Sequence, residues 1–410
     1  MKRAALYICY YNVTEPLVQT QVVAYLGELA KRGIEMHLLT FERERHPVEK
    51  QHAIRDELSK RGIQWHWLVY HQRPSLPATV YDIVIGTAAA LRICVKHQIR
   101  LVHARSHVPA AMALVTKGLL GCRFLFDIRG LLAEECVDAG NWTRDDVKFQ
   151  LTKRMERLFF KRADGFVLLT DRIKQELTLN EPLLEHRASD IQVIPCCTET
   201  NHFSGDWDTR SNYRKARGWT DRVVITYVGK LGTWYLLDEM ARFFAAAKRH
   251  DPRFFFQILT QSEEQAMRRA LDVAGVNPSD YDIRFASAED LPRILSGSDA
   301  GLSFIRASYS KLASSPTKVG EYLAAGLPVI TNAGIGDCDQ MMNGNRVGIV
   351  ISEFSEREFI RAASNLSDLL KDKSTAARCR ALAETELSLS KVGGPRYAAI
   401  YENLLGAASL

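Results

Sequence analysis

Short apolar stretches, each long enough for one buried strand, alternate with longer amphipathic stretches along almost the whole chain. In the first half, strands are predicted at 4–10, 35–40, 65–69, 101–104, 123–126, 165–169 and 191–194. Helices are predicted between most of them; in 18–32, for example, Val22, Leu26 and Leu29 recur at helical spacing. Apolar strands that alternate with helices predict a mostly parallel sheet covered on both faces.

A polar, aperiodic segment at 195–222 interrupts this alternation, and a second series follows it. Its strands are predicted at 223–228, 254–259, 283–286, 301–305, 328–331 and 348–351, and its last helices at 354–370, 374–388 and 394–405. We therefore predict an α/β fold of two doubly wound, Rossmann-like domains that face each other across a cleft, with ligands at the carboxyl ends of the strands. The predicted domains are 1–195 and 196–390, and the helix at about 390–410 is a candidate to pack back on the first domain.

Composition places the chain among globular proteins, with 46% hydrophobic and 25% charged residues over 410 positions. Its eight cysteines are scattered and show neither CxxC nor a Cys/His zinc spacing, so a reduced, cytoplasmic setting is the simplest interpretation. The basic and then apolar N-terminus has an apolar run of only about seven residues, which favours a buried first strand over a signal peptide. No stretch is expected to supply the roughly 18 apolar residues that a membrane-spanning helix needs.

The net charge of +6 lies entirely in the first half. Residues 1–190 carry 28 Lys and Arg against 22 Asp and Glu, whereas the remaining residues are balanced. A basic N-terminal half attracts an anionic acceptor or a membrane surface, although ordinary solvated helix faces explain the charge equally well. No basic run with interleaved aromatic residues suggests nucleic-acid binding.

The strongest local signal is SSPTKVGEYLAAGLPVIT at 314–331. Ser315 is predicted to cap a helix whose first residue is Pro316, and Gly326 is predicted to end it before a buried strand. The free N–H groups of a helix N-terminus bind anions. Ser315, Thr317 and Lys318 add hydroxyls and a positive charge there, so the segment predicts a diphosphate site.

Glu321 lies further along the same predicted helix. Its carboxylate is placed to accept hydrogen bonds from both hydroxyls of a ribose. A well-capped helix with an incidental pair between Lys318 and Glu321 at i,i+3 explains the same residues, and from the residues alone both interpretations stay open.

The segment 314–331 resembles the donor-binding helix of GT-B glycosyltransferases, specifically those of family 4. In that family, a carboxylate in the pattern E-Y-L/M-A-x-G-x-P-V-I binds the donor ribose, a role that the resemblance assigns to Glu321. The resemblance continues in GIGDCDQMMNGNRVGIVI (334–351) and YVGKLGTWYLLDEM (227–240), and more loosely in YNVTEPLVQTQVVAYLGELAKRG and LVHARSHVPAA. It implies a nucleotide-diphosphate sugar as donor and retention of the anomeric configuration.

The loop after the strand at 223–228 is a second candidate for the diphosphate site. Gly229 and Gly232 allow the backbone to approach a ligand closely, and Lys230 lies at the carboxyl end of the strand, where a phosphate is expected. A simple strand-to-helix turn with an exposed lysine remains the alternative. The base pocket is predicted at the end of the strand at 283–286, near Phe285 and Ala286.

Two positions depart from the family pattern. The glutamate that commonly contacts the donor sugar, eight residues before the ribose-binding one, is replaced by Ala313. The second lysine that commonly follows the glycine loop is replaced by Tyr235. We hypothesise that Lys318 supplies the missing positive charge.

In the N-terminal half, Asp127 and Arg129 follow the strand at 123–126 and are the catalytic candidates together with Glu321. Asp127 stands where the family often has a histidine, and it is a candidate to hold a sugar hydroxyl or to take the proton of the acceptor. Arg129 is a candidate partner for a phosphate or carboxylate. A pairing of the two with each other, which only shapes the loop, is the alternative.

Four further residues are predicted on the acceptor side. His103, Arg105 and His107 face the same way if their strand persists through all three. A structural role is as good an interpretation for each histidine, and an arginine between two histidines disfavours a metal site. Glu15 is the only acid in the loop at 12–17.

These observations predict a glycosyltransferase that moves a sugar from a nucleotide-diphosphate donor to a carbohydrate or lipid-linked acceptor in glycan or glycoconjugate biosynthesis. No cofactor and no metal are expected, and the triplet Asp337-Cys338-Asp339 is interpreted as a loop and helix cap. The chain lacks GxGxxG, GxxxxGK[ST] and GxSxG. An epimerase or hydrolase of nucleotide sugars, or a non-catalytic binder of the same fold, remains the alternative.

Overall fold

The computed structural model describes residues 3–203 and 207–406, without the side chain of Trp207. The chain divides into two compact units. Unit 1 comprises Met1–Pro195 together with Leu389–Leu410, and unit 2 comprises Cys196–Ser388. The division falls at the start of the polar segment at 195–222, and the C-terminal helix belongs to unit 1.

Unit 1 contains a parallel seven-stranded sheet in the order β3-β2-β1-β4-β5-β6-β7. Its strands are β1 (Ala4–Cys9), β2 (Glu35–Glu42), β3 (Ile63–Val69), β4 (Leu101–Arg105), β5 (Arg123–Asp127), β6 (Gly165–Leu168) and β7 (Ile191–Val193). Its helices are α1 (Pro16–Val18), α2 (Ala24–Lys31), α3 (Val48–Lys60), α4 (Ser75–His97), α5 (His107–Leu120), α6 (Leu132–Asp138), α7 (Val147–Arg162) and α8 (Asp171–Asn180).

Unit 2 contains a parallel six-stranded sheet in the order β10-β9-β8-β11-β12-β13. Its strands are β8 (Val223–Val228), β9 (Phe254–Leu259), β10 (Tyr281–Arg284), β11 (Ala300–Ser303), β12 (Val329–Asn332) and β13 (Gly348–Ile351). Its helices are α9 (Trp207–Ala216), α10 (Leu237–His250), α11 (Gln265–Val273), α12 (Leu291–Ser296), α13 (Thr317–Ala324), α14 (Cys338–Asn345), α15 (Glu356–Lys371) and α16 (Thr375–Glu386); α17 (Gly394–Gly406) completes unit 1.

The predicted α/β class is confirmed, because both sheets are parallel and every predicted strand overlaps a strand of the structure. The largest shift is at 283–286, where β10 begins and ends two residues earlier. The helix predicted at 18–32 begins at Pro16 and contains a π-helical turn at Gln19–Val23. Such a turn rotates the later residues around the helix axis, which sequence periodicity does not reveal.

Helix α4 contradicts the expectation that no segment has the length and apolarity of a membrane span. Of the helices in the described ranges, it alone is long and apolar enough to cross a membrane, and only 33% of its most apolar stretch is buried. Its one acidic residue, Asp82, is buried, accepts a hydrogen bond from the Tyr10 hydroxyl at 2.6 Å and lies 2.6 Å from His71 Nδ1. These contacts anchor α4 to unit 1 and leave an apolar face of the helix exposed.

Candidate active site

The N-terminus of α13 lies at the carboxyl edge of the sheet of unit 2, as the sequence predicts for an anion site. The helix begins at Thr317, and Pro316 occupies the N-cap position rather than the first turn. The prediction that Ser315 caps the helix is wrong: its hydroxyl oxygen accepts a hydrogen bond from the Cys196 N–H at 3.0 Å, and the helix start has no side-chain cap. Gly326, with φ of +82°, follows the helix.

Lys318 is the most unusual residue of this helix, because its side chain points into unit 2 and only 5% of the residue is exposed. Its ammonium nitrogen lies 4.2 Å from the ring centre of Tyr227 and 4.0 Å from that of Tyr235. Nζ makes no hydrogen bond to any residue in the described ranges. A buried ammonium held only by aromatic rings is poorly solvated, and burial lowers the pKa of Lys318 to about 7.

Glu321 lies one helical turn after Lys318 and is partly buried. Burial raises the pKa of its carboxyl to about 7, and the charge of Lys318 opposes that rise only in part. Both residues of this pair therefore bear charges that the protein solvates poorly near neutral pH. Perturbed groups of this kind concentrate at functional sites.

The glycine loop brings its backbone against Lys318. Gly229 has φ of +140°, which only glycine adopts without strain, and a Cβ at this position would lie 2.8 Å from Lys318 Nζ. The Tyr227 hydroxyl donates a hydrogen bond to the backbone oxygen of Lys230 at 2.5 Å. The Lys230 side chain is exposed. The structure thus places Gly229 beside Lys318 and leaves the side chain of Lys230 in solvent on the same loop.

Phe285 and Ala286, the predicted base-pocket residues, directly follow β10. All strands of this sheet are parallel, so the residues after β10 lie at the same edge as the glycine loop after β8. Phe285 is 65% exposed. Its position is compatible with stacking against a base, and the prediction remains untested.

Asp127, the last residue of β5, lies in a fully buried polar cluster of unit 1. One carboxylate oxygen accepts hydrogen bonds from the hydroxyls of Tyr397 at 3.1 Å and Tyr7 at 3.4 Å. Arg129 lies 3.7 Å from the other oxygen. Burial raises the pKa of Asp127, but the charges of Arg129 and nearby cations outweigh it and hold the pKa at about 2. These contacts fit the alternative in which Asp127 pairs with Arg129 and shapes the site.

The three residues predicted on the acceptor side at 103, 105 and 107 do not all share one face. Strand β4 ends at Arg105, Ser106 has φ of +70°, and His107 begins α5. His107 Nε2 consequently lies 3.0 Å from Glu156 on α7. The expectation that His107 faces the same way as His103 and Arg105 is therefore wrong, because the strand does not persist.

His103 and Arg105 are both buried in the cluster around Asp127. His103 Nδ1 lies 2.8 Å from the Tyr401 hydroxyl, and Nε2 lies 3.4 Å from the Asp127 carboxylate. Nη1 of Arg105 is buried and makes no hydrogen bond to the described part of the chain. His103 thus has the contacts of a structural histidine, whereas Arg105 retains an unused donor.

Glu15 and the triplet at 337–339 have local partners. Glu15 forms an ion pair with Arg43 at 3.2 Å. Asp337 occupies the N-cap position of α14, and the Asp339 carboxylate accepts a hydrogen bond from the Gly334 N–H at 3.1 Å. The triplet therefore lies at a loop and helix start, as interpreted from the sequence.

Sequence reasoning missed Tyr227 and gave Tyr235 only as a departure from the family pattern. Together the two rings hold the ammonium of Lys318. The sequence signal that could have indicated this contact was Tyr235, which stands where the family commonly has a lysine. With a ring in place of that second cation, the Lys318 ammonium can contact the ring. Tyr227 carried no signal of its own, since an aromatic residue in a buried strand is ordinary.

Comparison with known proteins shows similarity to glycosyltransferases. Residues 18–202 match the model of Glycosyltransferase Family 4. The structure of a glycosyltransferase from Rickettsia africae ESF-5 is similar with a TM-score of 0.74 and 14% identity, covering 98% of this chain and 99% of that one. WaaG, a glycosyltransferase involved in lipopolysaccharide biosynthesis, gives 0.70 and 16% identity over 98% and 100%. No curated protein matches the sequence.

A third similar structure, Anabaena Alr3699/HepE in complex with UDP and glucose, has a TM-score of 0.69 and 12% identity over 99% of both chains. At these identities the similar structures establish the fold, which is the GT-B fold of two Rossmann-like domains. The chain is a glycosyltransferase of this fold. The match to the family 4 model covers residues 18–202, within unit 1, and the fold of the whole chain is consistent with a family 4-like glycosyltransferase.

The raised pKa of Glu321 predicts a pH-dependent cost to stability. Below about pH 4.5 the carboxyl is protonated in both the folded and the unfolded protein. As the pH rises through 7, the carboxyl of the folded protein ionises and must carry a poorly solvated charge. Glu321→Gln should therefore raise the free energy of unfolding at pH 8 by about 1–2 kcal/mol, below the full value of the shift because the group is partly exposed.

Urea unfolding of both proteins at pH 4.5 and pH 8 measures this effect. The exposed Glu386 supplies the control, and Glu386→Gln should leave the free energy of unfolding unchanged at both pH values. A Glu321→Gln variant that is no more stable than the wild type at pH 8 would show that the carboxyl is well solvated in the folded protein.

Proposed function

We propose that this glycosyltransferase transfers a sugar from a nucleotide-diphosphate donor to an acceptor hydroxyl, with retention and without a metal at the diphosphate. The observation that carries this proposal is the buried ammonium of Lys318 near the N-terminus of α13, one turn before Glu321, which makes no hydrogen bond to the residues that the structure describes. The pathway we propose is glycan or glycoconjugate biosynthesis in the cytoplasm. The bound UDP of HepE makes UDP the first nucleotide to test.

The donor diphosphate would bind where the glycine loop meets the start of α13. Its negative charge would act as a counterion next to the Lys318 ammonium and raise the pKa of the lysine back above neutrality. Backbone N–H groups at Thr317 and the exposed Lys230 would contact the same phosphates, and the Ser315 hydroxyl can still donate a hydrogen bond. Preorganised positive charge stabilises the leaving diphosphate as the glycosidic bond breaks, which is the task a metal performs elsewhere.

Glu321 would bind the ribose. Burial raises the pKa of its carboxyl, and hydrogen bonds from the two ribose hydroxyls would stabilise the charged form. Phe285 would stack on the base. The retaining outcome rests on family similarity alone. It is decided by identifying the anomer of the first product by NMR.

The acceptor would carry a negative group. In unit 1, the guanidinium groups of the buried Arg105 and of Arg129 bring positive charge to the buried carboxylate of Asp127 at the end of β5. Arg105 Nη1 has an unused donor. A phosphate or carboxylate on the acceptor, such as the phosphate of a lipid carrier, would balance this charge, with Asp127 positioning Arg129.

We further propose that α4 and its neighbours bind the surface of an anionic membrane. Residues 75–91 contain no charge other than the buried Asp82, and the face that α4 exposes is apolar. Its exposed apolar side chains are Leu76, Val80, Tyr81, Val84 and Val95. Helix α5 packs against both α4 and α7 and exposes Leu119.

The charge of this surface suits an anionic bilayer. Helix α7 carries six lysines and arginines against one acid, Glu156, which is buried. Arg92 and Lys96 are exposed in the last turns of α4. An apolar face flanked by cations is the pattern of a helix that lies in a membrane interface, whereas the anchored Asp82 opposes insertion across it.

Lys318→Met is expected to weaken UDP binding about tenfold to a hundredfold, because a buried charge-assisted contact is lost while the apolar stem is kept. Isothermal titration at pH 8 measures the affinity. In the wild type it should also detect proton uptake on binding, through the dependence of the enthalpy on buffer, and in the variant this uptake should vanish. The control, Lys373→Met, removes an exposed lysine of unit 2. Equal affinities in the two variants would reject the diphosphate site; if UDP fails to bind the wild type, GDP and ADP are tested in its place.

Glu321→Ala is expected to reduce donor turnover by about a hundredfold or more, since misplacing the donor by 1 Å suffices for such a loss. Release of nucleoside diphosphate from UDP-, GDP- and ADP-sugars is followed with and without acceptor, against Glu386→Ala as control. Near-wild-type turnover in a folded Glu321→Ala protein would remove the assignment. Rapid release of free sugar without acceptor would instead support a hydrolase.

The double variant Val80→Gln, Val84→Gln is expected to reduce binding to phosphatidylglycerol vesicles at least about tenfold, because two valines, 52% and 61% exposed, no longer enter the interface. Co-sedimentation measures the bound fraction, and neutral phosphatidylcholine vesicles should bind the wild type weakly. Leu179→Gln, an exposed leucine on α8, is the control. If the double variant and the control sediment alike, the α4 face is not the contact.

A further inference from the structure

Three histidines from separate elements of unit 1 meet at the side of its sheet. His37 lies in β2, His66 in the edge strand β3, and His97 in the last turn of α4. One ring nitrogen from each lies within 4.8 Å of the others. The donor and acceptor residues described above include none of them.

The cluster is displaced from the acceptor-side residues of the same unit. Thr40 of β2 aligns through β1 and β4 with Asp127 at the carboxyl edge. His37 precedes Thr40 by three residues, which is about 10 Å toward the amino ends of the strands. A ligand held by these histidines would therefore lie outside the proposed acceptor site.

The geometry of the rings suits a shared metal ion. His37 Nδ1 and His66 Nε2 are 3.1 Å apart, close to the roughly 3.3 Å between two nitrogens on one tetrahedral zinc ion. The rings of His37 and His66 are nearly parallel, at 15°, and the ring of His97 is 4.3 Å from that of His37. Small rotations of the partly exposed His66 and His97 would turn a nitrogen of each toward the same point.

The carboxylate of Glu35 contacts His37, the most buried of the three histidines. Glu35 Oε1 lies 3.1 Å from His37 Nε2 and accepts a further hydrogen bond from the Gln64 amide at 3.0 Å. A carboxylate at Nε2 holds the proton there and leaves the lone pair of Nδ1 directed at the cluster. Metal-binding histidines typically have such a partner on the nitrogen that does not bind the metal.

The charges around the cluster oppose each other. Lys96 and Arg55 interact electrostatically with His66 and disfavour a divalent ion, and Glu35 is the acid that offsets them.

We propose that His37, His66 and His97 bind a divalent transition-metal ion, with zinc as the first candidate and Glu35 orienting His37. Three imidazole ligands suit zinc, copper or nickel rather than magnesium or calcium. The ion would connect the end of α4 to the two outer strands β2 and β3. It would stabilise unit 1 and take no part in the transfer reaction, so the proposal is independent of the proposed function.

The test uses the full chain, treated with EDTA and then dialysed. A hundredfold excess of Zn²⁺ over its Kd should raise the melting temperature by about 5 °C or more. Co²⁺ should give the strong visible absorption of a tetrahedral complex with nitrogen ligands. Mg²⁺ should produce neither change.

His97→Ala should weaken Zn²⁺ affinity at least tenfold, and Glu35→Gln should weaken it while leaving the ligands in place. The matched control is His52→Ala, which removes an exposed histidine of α3 in the same unit. If His97→Ala does not give the circular dichroism of the wild type, His66→Gln replaces it. The proposal is overturned if Zn²⁺ leaves the wild type unchanged, or if it stabilises the His97 or His66 variant as much as the wild type.

Discussion

Parallel strand pairing is the constraint from which the rest of the structure follows. Because every strand of unit 2 runs the same way, the residues after β8, β10 and β11 and before α13 are delivered to one edge of the sheet. The glycine loop and the start of α13 consequently meet, although about ninety residues separate Gly229 from Lys318 in sequence. The same rule in unit 1 brings Arg105 and Asp127 together at adjacent strand ends.

The contact between that loop and helix has an energetic cost that suits a binding site. Lys318 is buried against two tyrosine rings without a hydrogen-bonding partner in the described residues, and Glu321 is partly buried one turn away. A folded protein gains nothing from holding these groups in poor solvation, since replacing them with apolar residues would remove the cost. A ligand with two phosphates and a ribose would satisfy both. Stability given up at a site and recovered on binding is what preorganisation requires.

The buried charges of unit 1 are arranged differently from those of unit 2. One oxygen of Asp127 accepts hydrogen bonds from two tyrosines and the other lies 3.7 Å from Arg129, so the carboxylate has more the character of a support than of a free base. The guanidinium groups of Arg105 and Arg129 lie in the same cluster. In unit 2, the ammonium of Lys318 is buried and makes no hydrogen bond to the described residues, and we propose that it binds the leaving diphosphate. The exposed apolar face of α4 and the basic α7 add a further surface to unit 1.

The sequence by itself determined the fold class, the strands to within about two residues, and Lys318 and Glu321 as the residues of interest, because burial of apolar strands and helix spacing are local patterns. Only the tertiary structure decided what those residues touch. The Ser315 hydroxyl bonds to Cys196 instead of capping the helix, and His107 contacts Glu156 because β4 ends before it. The rings of Tyr227 and Tyr235 contact the Lys318 ammonium. The three histidines likewise met from strands and a helix far apart in the chain. Such contacts depend on how whole elements pack, and no local sequence pattern encodes them.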